Sequence, residues 1–265
     1  MCVSPINVKV RQGMPDERIE RVPCGRCFQC RKVKVDDWTT RMMIEANQHL
    51  YNYFLTLTYN DDHVPFKGNC FTLVKSDLQN YFKRLRKQGF VFRYFATGEY
   101  GSHTFRPHYH VIVFSDKAID ITDFEKAWTL DNIVIGFVKL GSVTPNSIAY
   151  VAKYHIFGFD LPESMVKPFN VMSRRPGIGS VYKDDKQWQQ WHQDSPEKRF
   201  YTIIDGVKRF LPKYVRKSIF TDSQRHRVAE HFDKTIPEKI EFQKKLPTLM
   251  YTKNLYDKLH QKKDI

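Results

Sequence analysis

Arg106-Pro-His-Tyr-His-Val-Ile-Val-Phe114 places His108 and His110 two residues apart in a run that is otherwise mostly apolar. In a strand, side chains at i and i+2 leave the same face roughly 6 to 7 Å apart, which suits two ligands of one metal ion. That face continues with Ile112 and Phe114 while Val111 and Val113 occupy the other, so the run predicts an interior strand covered on both sides. Imidazoles buried there without partners are costly. An isolated pair of this kind is more often hydrogen-bonded or edge-exposed; the residues around it reverse that reading.

Upstream, Tyr53 to Tyr59 (YFLTLTY) is dense in β-branched and aromatic residues and stops at Asn60-Asp-Asp, a strand followed by a turn. Leu78, Tyr81, Phe82 and Leu85 recur at helical spacing and Gly89 closes the segment, which predicts an amphipathic helix. Its outer face carries Lys83, Arg84, Arg86 and Lys87, a candidate nucleic-acid contact or simply a solvated face. Phe90 to Gly98 reads as a second strand, joined through a turn at Gly101 to Pro107 to the histidine strand His108 to Phe114. Asp123 to Trp128 predicts a short helix and Ile133 to Leu140 a fourth strand. Asn146 to Phe157 predicts a helix opened by Thr144-Pro145 and stopped at Gly158. The order β-α-β-β-α-β-α is the split βαβ pattern. It predicts an α+β fold, an antiparallel central sheet of ferredoxin-like type with flanking helices, in which the histidine strand lies beside YFLTLTY. Before this unit, Asp36-Asp37-Trp38 opens a helix through Ala46. The expected division is a cysteine-containing segment and helix over 1–45, a main domain over 46–185 and a basic accessory region over 186–265. In that last region periodicity weakens, while Trp188, Trp191, Lys208-Arg209, Arg216-Lys217 and Lys262-Lys263 stand out.

The chain of 265 residues carries a formal charge of +14 with 14% aromatic residues, which describes a folded basic protein rather than a disordered basic tail. A polyanion is the expected partner, and nucleic acid leads because lysine and arginine are interleaved with tyrosine and phenylalanine. No apolar run approaches the ~20 residues of a membrane span, and no signal-peptide core is evident. The cytosol is therefore the expected location. Of five cysteines, Cys24, Cys27 and Cys30 lie close together and Cys2 is an outlier. This odd count in tight spacing argues against a secreted disulfide framework. Cys2, Cys24, Cys27 and Cys30 are either the thiolate ligands of a structural zinc ion (Zn²⁺) or reduced thiols. A bacterial ferredoxin cluster would need a cysteine where Lys34 stands.

Glu99 ends the strand before the histidine strand, and hairpin pairing can set it opposite His108 or His110 on one face. Two imidazoles and one carboxylate leave coordination positions open for water or a phosphate oxygen, and mixed N/O donors admit Mn²⁺ or Mg²⁺. Tyr150 and Tyr154, four apart, are neighbours on one helix face, whereas Ile148, Ala149, Ala152 and Ile156 form the apolar stripe nearly opposite. Two phenols beside Lys153 and away from the stripe read as a reactive face. A phenol is a poor nucleophile at its ordinary pKa near 10, so it needs a metal-polarised target, with Lys153 to stabilise developing charge. His155 reads as packed, and Ser173, Arg174, Arg175 and Gly177 as either a backbone-clamping loop on DNA or a basic surface turn.

The His-hydrophobic-His strand, the upstream Glu99 and the downstream Tyr150-x-x-Lys153-Tyr154 together resemble the HUH endonucleases, tyrosine nucleases that initiate rolling-circle replication. YFLTLTYND is similar to their first motif. VPCGRCFQCR near the start and MSRRPGIG at Met172 to Gly179 resemble the replication initiators of microviruses of the gokushovirus group. The resemblance spans roughly residues 1 to 182. It implies attack by Tyr150 or Tyr154 on single-stranded phage origin DNA, a 5′-phosphotyrosine adduct, a free 3′-hydroxyl and later rejoining. It also implies a host polymerase and helicase as partners in the bacterial cytoplasm. Which phenol acts first stays open. A transposase or relaxase of the same superfamily, and a non-catalytic single-strand-binding protein, are the competing readings.

Overall fold

The computed structural model describes residues 2–10, 17–154 and 161–235. Its first part comprises a hairpin of β1 (Ile6–Val10) and β2 (Arg18–Val22), the helix α1 (Phe28–Ala46), and β3 (Tyr51–Tyr59). A small hairpin of β4 (Phe66–Lys67) and β5 (Cys70–Phe71) follows, then α2 (Lys75–Lys87), β6 (Phe92–Tyr100) and β7 (Pro107–Ser115). Next come α3 (Ile121–Ala127), the hairpin β8 (Thr129–Leu130) and β9 (Ile133–Val134), β10 (Gly136–Ser142), α4 (Pro145–Tyr154) and β11 (Phe169–Met172). The chain then forms α5 (Lys186–Asp194), a hairpin of β12 (Tyr201–Ile204) and β13 (Val207–Phe210), α6 (Lys213–Ile219) and α7 (Asp222–Thr235).

Five of these strands form the central antiparallel sheet, in the order β10-β3-β7-β6-β11. The histidine strand β7 sits in the middle beside β3, as the split βαβ reading expects, with Thr56 opposite His110 and Thr58 opposite His108. The short edge strand β11 is an addition that the sequence pattern does not announce. Alternation then sorts the side chains. Leu55, Leu57, Tyr59, Tyr109, Val111 and Val113 pack on one face with Leu78, Tyr81, Phe82 and Leu85 of α2 and Phe124 of α3. Phe95, Ile112 and Phe114 pack on the other face with Met42, Met43 and Ile44 of α1 and Ile148, Val151 and Ala152 of α4. Tyr109 fixes the start of α2 to the sheet, accepting a hydrogen bond from the Val74 N–H at 2.9 Å. Gly89 follows the C-cap of α2 with φ +93°, the left-handed position that glycine takes without strain.

Helix α1 begins well before the Asp36-Asp37 signal, at Phe28. The reason is tertiary: the Asp37 carboxylate accepts the backbone N–H of Lys213 at the start of α6. The acidic pair thus caps another helix, and Arg41 lies over the Tyr214 ring at 4.4 Å in the same contact. Through it the region after residue 186 docks on α1. That region has its own apolar cluster of Phe200, Leu211, Val215, Ile219, Phe220 and Val228. Among the described residues no helix is long and apolar enough to cross a membrane.

Candidate active site

Strand register builds the centre of the site. Glu99 of β6 lies directly opposite His108 of β7, and His110 lies opposite Thr97 in the next row of the same face. Glu99 is 1% exposed and His110 7%. The Nε2 atoms of His108 and His110 stand 2.8 and 2.9 Å from the same Glu99 oxygen, Oε1. On its other side His108 Nδ1 faces the Arg106 carbonyl at 3.2 Å. A carbonyl only accepts, so Nδ1 carries the proton and, in the neutral ring, Nε2 presents a lone pair to the carboxylate. His110 Nδ1 pairs with the Thr56 hydroxyl at 3.0 Å. The His110 Nε2 contact lacks the direction of a hydrogen bond, and the second oxygen, Glu99 Oε2, is buried without a hydrogen-bond partner. Burial pushes the Glu99 carboxyl up, but the hydrogen bonds and charges of His108 and His110 outweigh it and hold the group below the ordinary carboxylate range.

Three inward-turned donors, two orphaned buried atoms and outward-facing nitrogens already engaged make up a cation site. The donor atoms of Glu99, His108 and His110 lie within 4.8 Å of one another. A divalent ion replaces the mutual repulsion of lone pairs with coordination, and the Nδ1 partners hold the imidazoles in the tautomer that ligation requires.

Above this cluster runs α4. Thr144 and Ser147 start it with reciprocal contacts, the Ser147 N–H to Thr144 Oγ1 at 3.1 Å and the Thr144 N–H to Ser147 Oγ at 2.8 Å, a capping-box arrangement. Its buried stripe is Ile148, Val151 and Ala152. Val151 therefore takes the place expected of Ala149, which is only half-buried, while Ile156 lies outside the described residues. Tyr150 is 39% exposed, so it does stand off the stripe, yet it is brought inward at the stripe's margin. Its phenol donates to Glu99 Oε1 at 3.3 Å and its ring meets His110 edge to face at 5.1 Å. Lys153 lies on the same helix, partly buried. Tyr154 ends the helix, and its side chain lies outside the described residues, as do His155 and the expected helix end at Phe157.

The sheet extends the site toward its β10 edge. Phe137, Thr58, His108 and Glu99 form one cross-strand row, and Lys139, Thr56, His110, Thr97 and Asn170 the next. Phe137 is 69% exposed and Lys139 is exposed too, so an aromatic ring and a cation flank the histidines on an open floor. Close pairing at this edge depends on Gly136, where a Cβ would fall 1.8 Å from the Thr58 carbonyl oxygen. Sequence reasoning missed Thr56, Phe137 and Lys139. The alternating Phe137-x-Lys139 was the available signal, but it acquires meaning only once β10 is paired.

The other expected contacts lie elsewhere. Helix α2 covers the opposite sheet face, where Arg84 Nε donates to the Ala127 carbonyl at 2.7 Å and Arg86 lies 4.9 Å from the Phe92 ring centre. Lys83 and Lys87 are exposed. Arg174 and Arg175 are exposed on the loop after β11, which is moored to α1. The Gly179 N–H donates to Glu45 Oε2 at 2.6 Å, Arg93 Nη2 to the Pro176 carbonyl at 2.8 Å, and Arg41 Nε to the Ile178 carbonyl at 2.9 Å. Gly179 has φ +71°, and its Cβ would fall 2.9 Å from the Arg41 carbonyl oxygen, so only glycine fits this mooring. The loop leaves the sheet several rows from His108, about 20 Å along the strands.

The four thiols Cys2, Cys24, Cys27 and Cys30 also converge within 4.8 Å. The N–H groups of Arg26 and Cys27 reach Cys24 Sγ at 3.5 and 3.3 Å and lower that thiol to about 6. Burial pushes Cys30 up to about 12. Four sulfurs around one point, with backbone amides directed at a thiolate, fit a tetrahedral metal ion. Cys30 lies in the first turn of α1, so this cluster is about 20 Å along the helix from the residues that pack on the histidine face.

Residues 52–156 match a family of replication-associated proteins of the ORF2 type, a stretch that holds the whole His–Glu–Tyr arrangement. The chain is 30% identical over 222 residues to replication-associated protein ORF2 of Spiroplasma virus 4, covering 74% of this chain and 66% of that protein. It is 29% identical over 216 residues to replication-associated protein VP4 of Bdellovibrio phage phiMH2K, covering 72% and 65% respectively. It is 28% identical over 233 residues to replication-associated protein ORF4 of Chlamydia phage 1, covering 77% and 55%. The chain thus spans somewhat under two thirds of the length of these relatives. No solved structure matches. The chain is homologous to phage replication-associated proteins, and its mixed α+β fold with an antiparallel central sheet is consistent with the HUH type.

Proposed function

We propose that this chain is a rolling-circle replication initiator of the gokushovirus kind, which nicks single-stranded origin DNA through a tyrosine and later rejoins the strand. The observation that carries the reading is the Tyr150 phenol, held 3.3 Å from Glu99 Oε1 directly over the His108–His110 pair. Glu99, His108 and His110 would hold Mn²⁺ or Mg²⁺, which supplies Lewis-acid polarisation of the phosphate. Homology to the replication-associated proteins, the +14 charge and the exposed Phe137 and Lys139 support single-stranded DNA as the substrate.

In this mechanism the phenolic oxygen of Tyr150 attacks the scissile phosphorus. The bond to the 3′-oxygen breaks, a 5′-phosphotyrosine forms, and the 3′-oxygen leaves as a hydroxyl that primes a host polymerase. The phenolic proton passes away from the oxygen as it attacks, and Lys153 stabilises the negative charge that develops. Rejoining is the reverse displacement, in which a 3′-hydroxyl attacks the phosphotyrosine and regenerates the phenol. Tyr154, one turn along, supplies a second nucleophile for repeated rounds. The energy of the phosphodiester stays in the protein–DNA ester, so no nucleotide cofactor is required.

Labelled single-stranded origin DNA incubated with the protein and Mn²⁺ should yield an adduct that survives a denaturing gel. Mass spectrometry should map it to Tyr150 or Tyr154. Tyr150→Phe and Tyr154→Phe should each fold normally, and the double variant should give no adduct. An adduct at another residue would overturn the assignment, and no adduct under any condition would overturn the nuclease reading itself.

A further inference from the structure

An exposed aromatic surface lies outside the nuclease site. Trp188 and Trp191 of α5 and Tyr201, Thr202 and Ile203 of β12 line a cleft of about 470 Å³, large enough for a small planar ligand. The hairpin β12–β13 turns through Asp205 and Gly206, both with positive φ, the two-residue turn that matches strand twist. Its register sets Tyr201 opposite Phe210 and Ile203 opposite Lys208 on one face. That face is turned outward, with Ile203 62% and Phe210 67% exposed, and Trp188 beside it is 45% exposed. The opposite face holds Thr202 and Ile204, both buried. Folding is therefore served by one side of the hairpin and leaves the other open to solvent.

The rings on the open side are set at steep angles. Trp188 and Trp191 stand 5.6 Å apart at 80°, and Trp191 and Tyr201 stand 6.0 Å apart at 87°. Cations are interleaved with them. Lys208 Nζ lies 3.7 Å above the Tyr201 ring and the Arg199 guanidinium 4.9 Å above Trp191. Asp185 caps α5 through the Gln187 and Trp188 N–H groups. His192, fully buried, locks the helix to the Arg199 carbonyl. The platform is thus rigid before any ligand arrives.

We propose that this cleft and the outer face of β12–β13 form a second single-strand-binding surface, which stacks unpaired nucleobases on Trp188, Tyr201 and Phe210 and holds the adjoining phosphates with Lys208 and Arg199. Exposed aromatics alternating with cations are the chemistry that tracks a single strand without reading its sequence. An apolar protein partner is a poorer match, because the cations stand among the rings. Position supports the assignment. Ile204, the residue after Ile203, is buried against the same apolar cluster as Ile148 of the tyrosine helix. The stacking face therefore begins about 10 Å of strand away from the base of α4. A strand engaged at Tyr150 can continue onto this surface. The proposal rests on the reading of single-stranded DNA as substrate but not on the tyrosine chemistry.

The test measures binding alone, in chelator, so that no cleavage occurs. Fluorescence anisotropy compares a long single strand that extends beyond the nick on both sides with a short one that spans the nick only. Trp188→Ala and Phe210→Ala should each weaken the long strand roughly tenfold, the effect of one lost stacked base. They should abolish its advantage over the short strand, and Trp188→Phe should restore most of it. A long strand of abasic sugars should bind wild-type protein and Trp188→Ala alike. Equal affinity of wild type and alanine variants for the long strand overturns the proposal and leaves the cleft to a protein partner or to the chain's own residues after 235. A wild type that binds but forms no adduct with Mn²⁺ sinks the nuclease reading and leaves the stacking surface standing.

Discussion

Glu99 concentrates the electrostatic tension of the site, since one of its oxygens faces two imidazole nitrogens and the other faces no donor. An ion that relieves this should stabilise the fold. At about 100 times its Kd, Mn²⁺ should raise the Tm of the wild type by roughly 5 to 10 °C. It should leave the Tm of Glu99→Gln and His110→Ala unmoved. An equal rise in those variants would place the ion elsewhere. Thr56 tests the layer behind the ligands. Thr56→Val keeps its shape and removes the hydroxyl that pairs with His110 Nδ1, so Mn²⁺ affinity should fall about 10- to 100-fold. Calorimetric titration reads this directly, and an unchanged affinity would mean that Thr56 only fills space.

At the scale of elements, periodicity is a sound guide wherever one face is buried. It identifies β3, β7 and the buried face of α2, and it sets YFLTLTY beside the histidines. It does not say which side of the sheet α2 covers, because helical spacing carries no information about the crossover. The start of α1 escapes it for a similar reason: Asp37 is a genuine helix cap, but for α6, far away in sequence. In the site, His108, His110, Glu99 and Tyr150 are legible because alternation and helical spacing fix their faces. Thr56, Phe137 and Lys139 are not, because their roles come from cross-strand register. Those last two offer a test at this scale. If the open floor beside β10 seats the strand, Phe137→Ala and Lys139→Glu should each raise the KM for a short oligonucleotide several-fold while leaving kcat nearly unchanged. Both side chains are exposed, so stability should change by less than about 0.5 kcal/mol. A fall in kcat at constant KM would assign these residues a part in the chemical step.

Across the whole molecule, α1 joins two candidate metal centres of opposite character. At its start four thiols converge on one point, and at its far end Met42, Met43 and Ile44 pack against the face that carries the histidines. The sulfur cluster ties the extreme N-terminus to the helix, with the Cys24 N–H donating to Cys2 Sγ at 3.2 Å. The sheet is held by its own apolar clusters on both faces. Loss of a thiolate-bound ion should therefore act locally. Metal analysis of protein purified under reducing conditions should find zinc, and the Cys24→Ser, Cys27→Ser double variant should lose it. That variant should be cut by protease before Phe28 far faster than wild type, because the sulfurs are what fasten Cys2 to the helix start. Adduct formation on a short oligonucleotide should persist, since the cluster lies about 20 Å along α1 from the nuclease face. Cooperative unfolding of the whole domain on zinc removal would show instead that α1 cannot cover the sheet without its metal-bound start, and that the two centres fold as one unit.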